Sequence, residues 1–191
     1  VEAPKQRNTR EENRQIKNGQ TPEDWSEAKR RQKDVDARWT KKNGQSYYGY
    51  KNHIDIDAGY KFIRRCVVTD ASVHDSQAFD MLLDPLNTNK AVYADSAYRS
   101  KETITLLKIL GYRPHIQSKG VRNKSLSDRE KAGNRTRSRT RALVEHVFGV
   151  QYMKAGGKML NRTVGLARAK THIWMQNLTY NLSRYATLYA F

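Results

Sequence analysis

Two carboxylates stand where catalytic acids could. Asp95 follows the short apolar run AVYA, and Glu145 lies in RALVEHVF, beside the stripe Leu143, Val147 and Val150 at helical spacing. Acids delivered by two separate elements of a basic chain suit divalent-metal phosphoryl chemistry. Mg²⁺ takes oxygen ligands, few of them carboxylates, and completes its shell with water and substrate phosphates. Two ions roughly 3.5–4 Å apart can clamp the attacking and leaving oxygens of an in-line displacement. A plainer reading uses the same residues: Asp95 caps a turn, and Glu145 pairs with Arg141 four residues earlier. Spacing alone leaves both open.

The charge balance says what such acids would act on. Lys and Arg number 36 against 19 Asp and Glu, a net charge of +17 in 191 residues. An excess of this size favours a polyanionic partner, nucleic acid first. No run approaches the ~20 apolar residues of a membrane span, and no signal-peptide core opens the chain. The single cysteine, Cys66, excludes an internal disulfide and fits a reducing compartment, the cytoplasm or nucleoid. Five histidines without paired spacing argue against zinc. His53 and His74 read as residues that fix a hairpin and a loop or touch phosphate.

The elements that must position the acids can be read from periodicity. Residues 1–45 are polar and densely charged, an extended basic arm with one short helix, Thr21-Pro22-Glu23-Asp24 serving as its capped start. Trp25 and Trp39 would anchor this arm. Residues 46–191 form the core. SYYGYKNHIDID and YKFIRRCVVTDAS, separated by Ala58-Gly59, predict a hairpin. DSQAFDMLLDP has helical spacing and stops at Pro85, and AVYAD is a third strand. Ser100 caps KETITLLKIL, Gly111 closes it, and RPHIQS is a fourth strand. Residues 118–141 carry nine Lys or Arg against two acids and read as a basic loop that contacts nucleic acid. ALVEHVFGVQYM is a helix, and so is the tail, with Trp174, Leu178, Leu182, Tyr185 and Tyr189 as its apolar positions. The order predicts an α/β fold, a mixed sheet flanked by helices. Tyr98, three residues after Asp95, reads as a ring that packs beneath that acid or stacks on a base, packing being the plainer expectation.

SYYGYKNHIDID, VVTDASVHDS, VYADSAYRS and RTRALVEHVFGV follow one another in an order that resembles bacterial insertion-sequence transposases of the DDE class, specifically the insertion-sequence-five group. The resemblance runs from the first residues to about Arg184. It implies an RNase-H-like fold and a triad of acids binding two Mg²⁺ ions, for which Mn²⁺ can substitute. Such enzymes cut DNA at transposon ends by hydrolysis and join the freed 3′-hydroxyl to target DNA. Carried over by position, Asp95 matches the second aspartate and Glu145 the glutamate, as catalytic and metal-holding residues. Arg141 matches the arginine of the tyrosine–arginine–glutamate–lysine signature. Ser138 stands where that signature has tyrosine, and Tyr152 where it has lysine, with Lys154 two residues late. Candidate DNA contacts are Lys51, Arg99, Lys119, Arg122, Lys124, Arg135, Arg137, Arg139, Arg141 and Lys154. The expected partners are transposon-end and target DNA and further copies of the chain on that DNA, in a bacterial cytoplasm, nucleoid-associated, with no membrane. In relatives the first aspartate precedes a VEAP-like stretch, and here the chain opens on that stretch at Val1. Asp57, Asp70 and Asp75 read as end-of-strand and cap residues rather than replacements. The chain is therefore expected to be a fragment or one product of a split gene, binding DNA but cutting it poorly. A non-catalytic DNA-binding protein, domesticated or acting as a subunit, is the other reading.

Overall fold

The computed structural model of the chain describes all residues except 5, 43, 122–124, 158 and 190–191. The chain divides into two units, one of Val1–His53, Cys66–Val73 and Gln151–Phe191, the other of Ile54–Arg65 and His74–Val150. This line differs from the arm–core boundary expected at residue 45.

In the first unit the polar arm is folded rather than extended. It holds two helices, α1 (Arg10–Lys17) and α2 (Glu27–Gln32), and a strand, β1 (Arg38–Lys42). Thr9 and Glu12 form a reciprocal capping box at the start of α1, encoded locally by the sequence TREE. The expected helix start at Thr21 is corrected to Ser26, whose hydroxyl accepts from Lys29 N–H. Trp25 is buried, and its indole donates to Glu12 at 2.7 Å. Burial alone would raise the pKa of Glu12, but hydrogen bonds from Thr9, Trp25 and Lys33 hold it down at about 2.

β1 pairs antiparallel with β2 (Gln45–Ile56), Trp39 opposite Tyr48, and β3 (Ile63–Asp70) completes a three-stranded sheet in the order β1-β2-β3. The hairpin expected around Ala58-Gly59 is present. His53 bonds Thr69 at 2.9 Å and so fixes it, as its position suggested. Gly49 has φ +154, and a Cβ there would stand 2.7 Å from Ala3 N, so a glycine is required where residues 1–3 cross β2. Ala3, Ala37, Tyr48, Tyr50 and Val68 form the core with Ala169 and Ile173 of α6 (Leu166–Tyr189).

Buried Asp34 ties these parts together. Its carboxylate accepts from the Tyr50 hydroxyl at 2.7 Å and from the N–H groups of Asp36, Ala37 and Gly165 at 3.0–3.1 Å. Asp36 accepts from Leu166 N–H at 2.7 Å, so two acids meet the positive end of α6. Burial and the Asp34 charge push the Tyr48 phenol up, and burial with the Asp34 hydrogen bond does the same for Tyr50. The face that α6 buries corrects the expected stripe: Ala169, Ile173, Asn177 and Tyr180 are inside, while Trp174, Leu178, Leu182, Tyr185 and Tyr189 are about half exposed. Asn177 decides this, because it bonds both Asn52 and Gln151 at 2.8–3.2 Å.

In the second unit a short 3₁₀ turn (Asp75–Ala78) leads into α3 (Phe79–Leu82). β4 (Ala91–Ala94), α4 (Lys101–Ile109) and β5 (Arg113–Ile116) form a strand–helix–strand unit whose strands pair in parallel, as such a crossover requires. Ser100 caps α4 and Gly111, at φ +76, ends it. Phe79, Ala94, Leu107, Tyr112 and Ile116 form the core. Antiparallel and parallel pairing thus fall in two separate sheets within an α/β chain.

The basic loop expected over 118–141 is the largest correction. From Asp128 it is helical, the first half of α5 (Asp128–Lys154). Ser127 and Glu130 close a capping box: Glu130 N–H donates to the serine hydroxyl at 3.3 Å, and Ser127 N–H donates to the glutamate at 2.9 Å. Arginine is a good helix former, and a run lacking apolar residues simply has no hydrophobic stripe to reveal it.

Candidate active site

Asp95 directly follows β4 and caps the 3₁₀ turn Ser96–Tyr98, one carboxylate oxygen accepting from Ala97 N–H at 2.8 Å. Its other oxygen lies 3.5 Å from Arg141 Nη1. Glu145, one turn further along α5, takes Arg141 Nη2 on its Oε1. Both plain readings therefore hold, and they do not exclude the constellation. One guanidinium joins the two candidate acids, which come from the end of a strand and the middle of a helix.

The placement of Arg141 follows from how α5 is clamped to the end of β5. Asn134 accepts from Ser118 N–H at 2.8 Å and donates to Ser118 O at 3.0 Å. Ser138, at the position where the signature has tyrosine, accepts from Gln117 at 2.7 Å. β5 is paired with β4, and Arg99 adds a tie by donating to Ile116 O at 3.1 Å. Asn134, Ser138, Arg141 and Glu145 then share one helix face, at steps of four, three and four. Sequence reasoning named Ser138 only as a departure from the signature and missed Gln117, Ser118 and Asn134; the four-residue step from Asn134 to Ser138 could have flagged Asn134, while nothing local marked Gln117 and Ser118 as its partners.

Beneath the site, Tyr98 packs on Phe79 with ring centroids 5.0 Å apart, as its position suggested. Burial, then the charges of Asp75 and Asp95, pushes its phenol up. Asp75 was read as a cap, but the cap of that turn is His74, which accepts from Ser76 N–H. Among the described residues no three His, Cys, Asp or Glu side chains come together as a metal-binding group. Two hard carboxylates that already hold a cationic group between them do suit a divalent ion that draws its remaining ligands from water and phosphate.

The other predicted site residues separate into three sets. Arg135 and Arg139 are exposed and, with exposed Lys131, stand four residues apart on one side of α5. Arg137 is half-buried and donates to Asn134 at 3.3 Å; with burial and Arg113 it depresses the pKa of His115. Lys51 donates to Val73 O at 2.7 Å, and Lys154 bonds Ser183, so each is used within the first unit. Lys119 is exposed. Arg122 and Lys124 lie outside the described residues.

An α/β scaffold with acids beside a strand end and on a helix, next to a basic helix face, is the frame in which the comparisons with known proteins stand. The family model for the transposase DDE domain matches residues 23–182, so the chain belongs to that family, whose fold is RNase-H-like. It is also similar to the transposase for insertion sequence element IS1106 of Neisseria meningitidis serogroup B. The two are 39% identical over 123 residues, which are 64% of this chain and 42% of that protein. The chain thus matches less than half the length of that relative. No solved structure matches it. Among the described residues no helix is long and apolar enough to cross a membrane.

Proposed function

We propose that this chain carries catalytic residues of a DNA transposase that cuts DNA at insertion-sequence ends and joins it to target DNA. Asp95 and Glu145 are the residues that would hold Mg²⁺ or Mn²⁺. When bound, the metal supplies Lewis-acid stabilisation of the attacking and leaving oxygens of the phosphodiester. The observation that carries the reading is the single guanidinium spanning Asp95 and Glu145. It means that two acids 50 residues apart in sequence meet the same cationic side chain. The exposed stripe Lys131, Arg135 and Arg139 on the same helix as Glu145 would take duplex phosphates, holding a polyanion that the acids alone would repel. Lys119 would add to that surface, and further copies of the chain would assemble on the DNA.

The test is strand cleavage of a labelled duplex bearing the element's end, by the protein that contains this chain, in Mg²⁺ or Mn²⁺. Asp95→Ala and Glu145→Ala should each abolish cutting while leaving duplex affinity within about twofold of the parent. Cutting that survives Glu145→Ala removes the mechanism, and binding without any cutting by the parent favours a purely DNA-binding role.

A further inference from the structure

Arg141 stands between two anions, with Nη1 3.5 Å from Asp95 and Nη2 on Glu145. Its side chain is 34% exposed and that of Asp95 is 36% exposed, so the contact is partly shielded from water. A guanidinium stays protonated at any ordinary pH, so it can leave only by swinging away. A divalent ion on the same oxygens would sit at like-charge range from it. Two cations competing for one pair of carboxylates cannot both be held at full strength. We propose that Arg141 is a positioning residue: a built-in counter-cation that keeps Asp95 and Glu145 facing each other, yields its place to a divalent metal, and is thereby freed for a DNA phosphate. The inference rests on the reading of these two acids as the metal-holding pair. The freed fork of five N–H donors suits bidentate phosphate contact, which a lysine does not reproduce. Metal and DNA binding are then linked, and each must strengthen the other by the same factor.

Mn²⁺ binding read by electron paramagnetic resonance tests this on the 191-residue chain at neutral pH, in low salt, with circular dichroism melts confirming that each variant folds. Partly exposed ion pairs are worth a factor of about 1.4 to 5 each, so Arg141→Met should bind Mn²⁺ roughly fivefold more tightly than wild type. Arg141→Lys, which keeps the charge, should stay near wild type, and Arg141→Gln serves in place of Met if that variant does not fold. Mn²⁺ should also tighten binding of a labelled duplex by wild type more than by Arg141→Met. A merely structural arginine would weaken or leave unchanged the metal affinity when removed. Equal or weaker Mn²⁺ binding by Arg141→Met, with Asp95→Asn still weakening it, overturns the counter-cation role and leaves the metal-holding reading in place. If Asp95→Asn and Glu145→Gln bind Mn²⁺ as wild type does, or no form binds it, that reading falls and takes this inference with it.

Discussion

The salt dependence of duplex binding should be carried by one side of α5. Lys131, Arg135 and Arg139 are exposed and four residues apart, which spaces them about 6 Å along the helix axis and turns each only slightly from the last. Arg137, between them in sequence, is half-buried and bonded to Asn134. If each of the three meets one phosphate, replacing them together with Ala should reduce the slope of log affinity against log salt by about 2.7, at about 0.9 per phosphate on duplex DNA. Over a fourfold rise in salt that difference amounts to a factor of roughly 40 in affinity. Lys131 also pairs with Asp128 at 3.1 Å, but that carboxylate is 98% exposed and competes weakly. Fluorescence anisotropy of a labelled duplex, titrated at four or more salt concentrations, measures the slope directly. Arg137→Ala alone should change it by well under 0.9, because its guanidinium faces the protein. An unchanged slope in the triple variant, or as large a change from Arg137→Ala alone, would refute the assignment of DNA contacts to this stripe.

Other outcomes follow from individual contacts. Asp34→Ala strands the buried Tyr50 hydroxyl and three N–H groups and should cost about 3–5 kcal/mol in urea denaturation, with Asp34→Asn recovering part of it. Asn134→Ala removes both bonds to Ser118 and should lower strand cleavage at least about tenfold while moving duplex affinity little, since it loosens the clamp that aims Arg141. Burial and the neighbouring Asp84 push Asp55 up to about 6 from its ordinary 3.8. An acid raised on folding stabilises when protonated, so this contribution is full below about pH 4 and lost as pH rises through about 6. Asp55→Asn should therefore be more stable than wild type at pH 7, by at most about 3 kcal/mol, with no such advantage near pH 4. Glu12, held at about 2, has the opposite sign: its contribution is present above about pH 4.5 and goes as pH falls through about 2.

Much of the scaffold was legible because its signals are local. Ser100 before an amphipathic run and Gly111 after it marked α4, and a polar turn between two β-rich runs marked the hairpin. Glu145 and Arg141 could be named from a short signature in which they lie four apart, and Asp95 from its place directly after the apolar run AVYA. The capping boxes at Thr9 and Ser127 were equally local and were passed over because the segments after them lack apolar residues. Charge hid the helix there, although backbone hydrogen bonding and arginine's helix propensity do not depend on hydrophobicity.

Which side of an element is buried, and which groups meet, was decided elsewhere. The tail showed an apolar stripe from Trp174 to Tyr189, yet α6 buries the opposite side. Its orientation is set by Asp34 and Asp36 at its start and by Asn177 between Asn52 and Gln151. Buried polar groups must find partners, and those partners lie 26 to 131 residues away, beyond the reach of any periodicity. The pairing of Asp95 with Glu145 through Arg141 is of the same kind. A strand end and a helix face each announce themselves along the chain, but only the Ser118–Asn134 clamp between β5 and α5 brings them to the same cation.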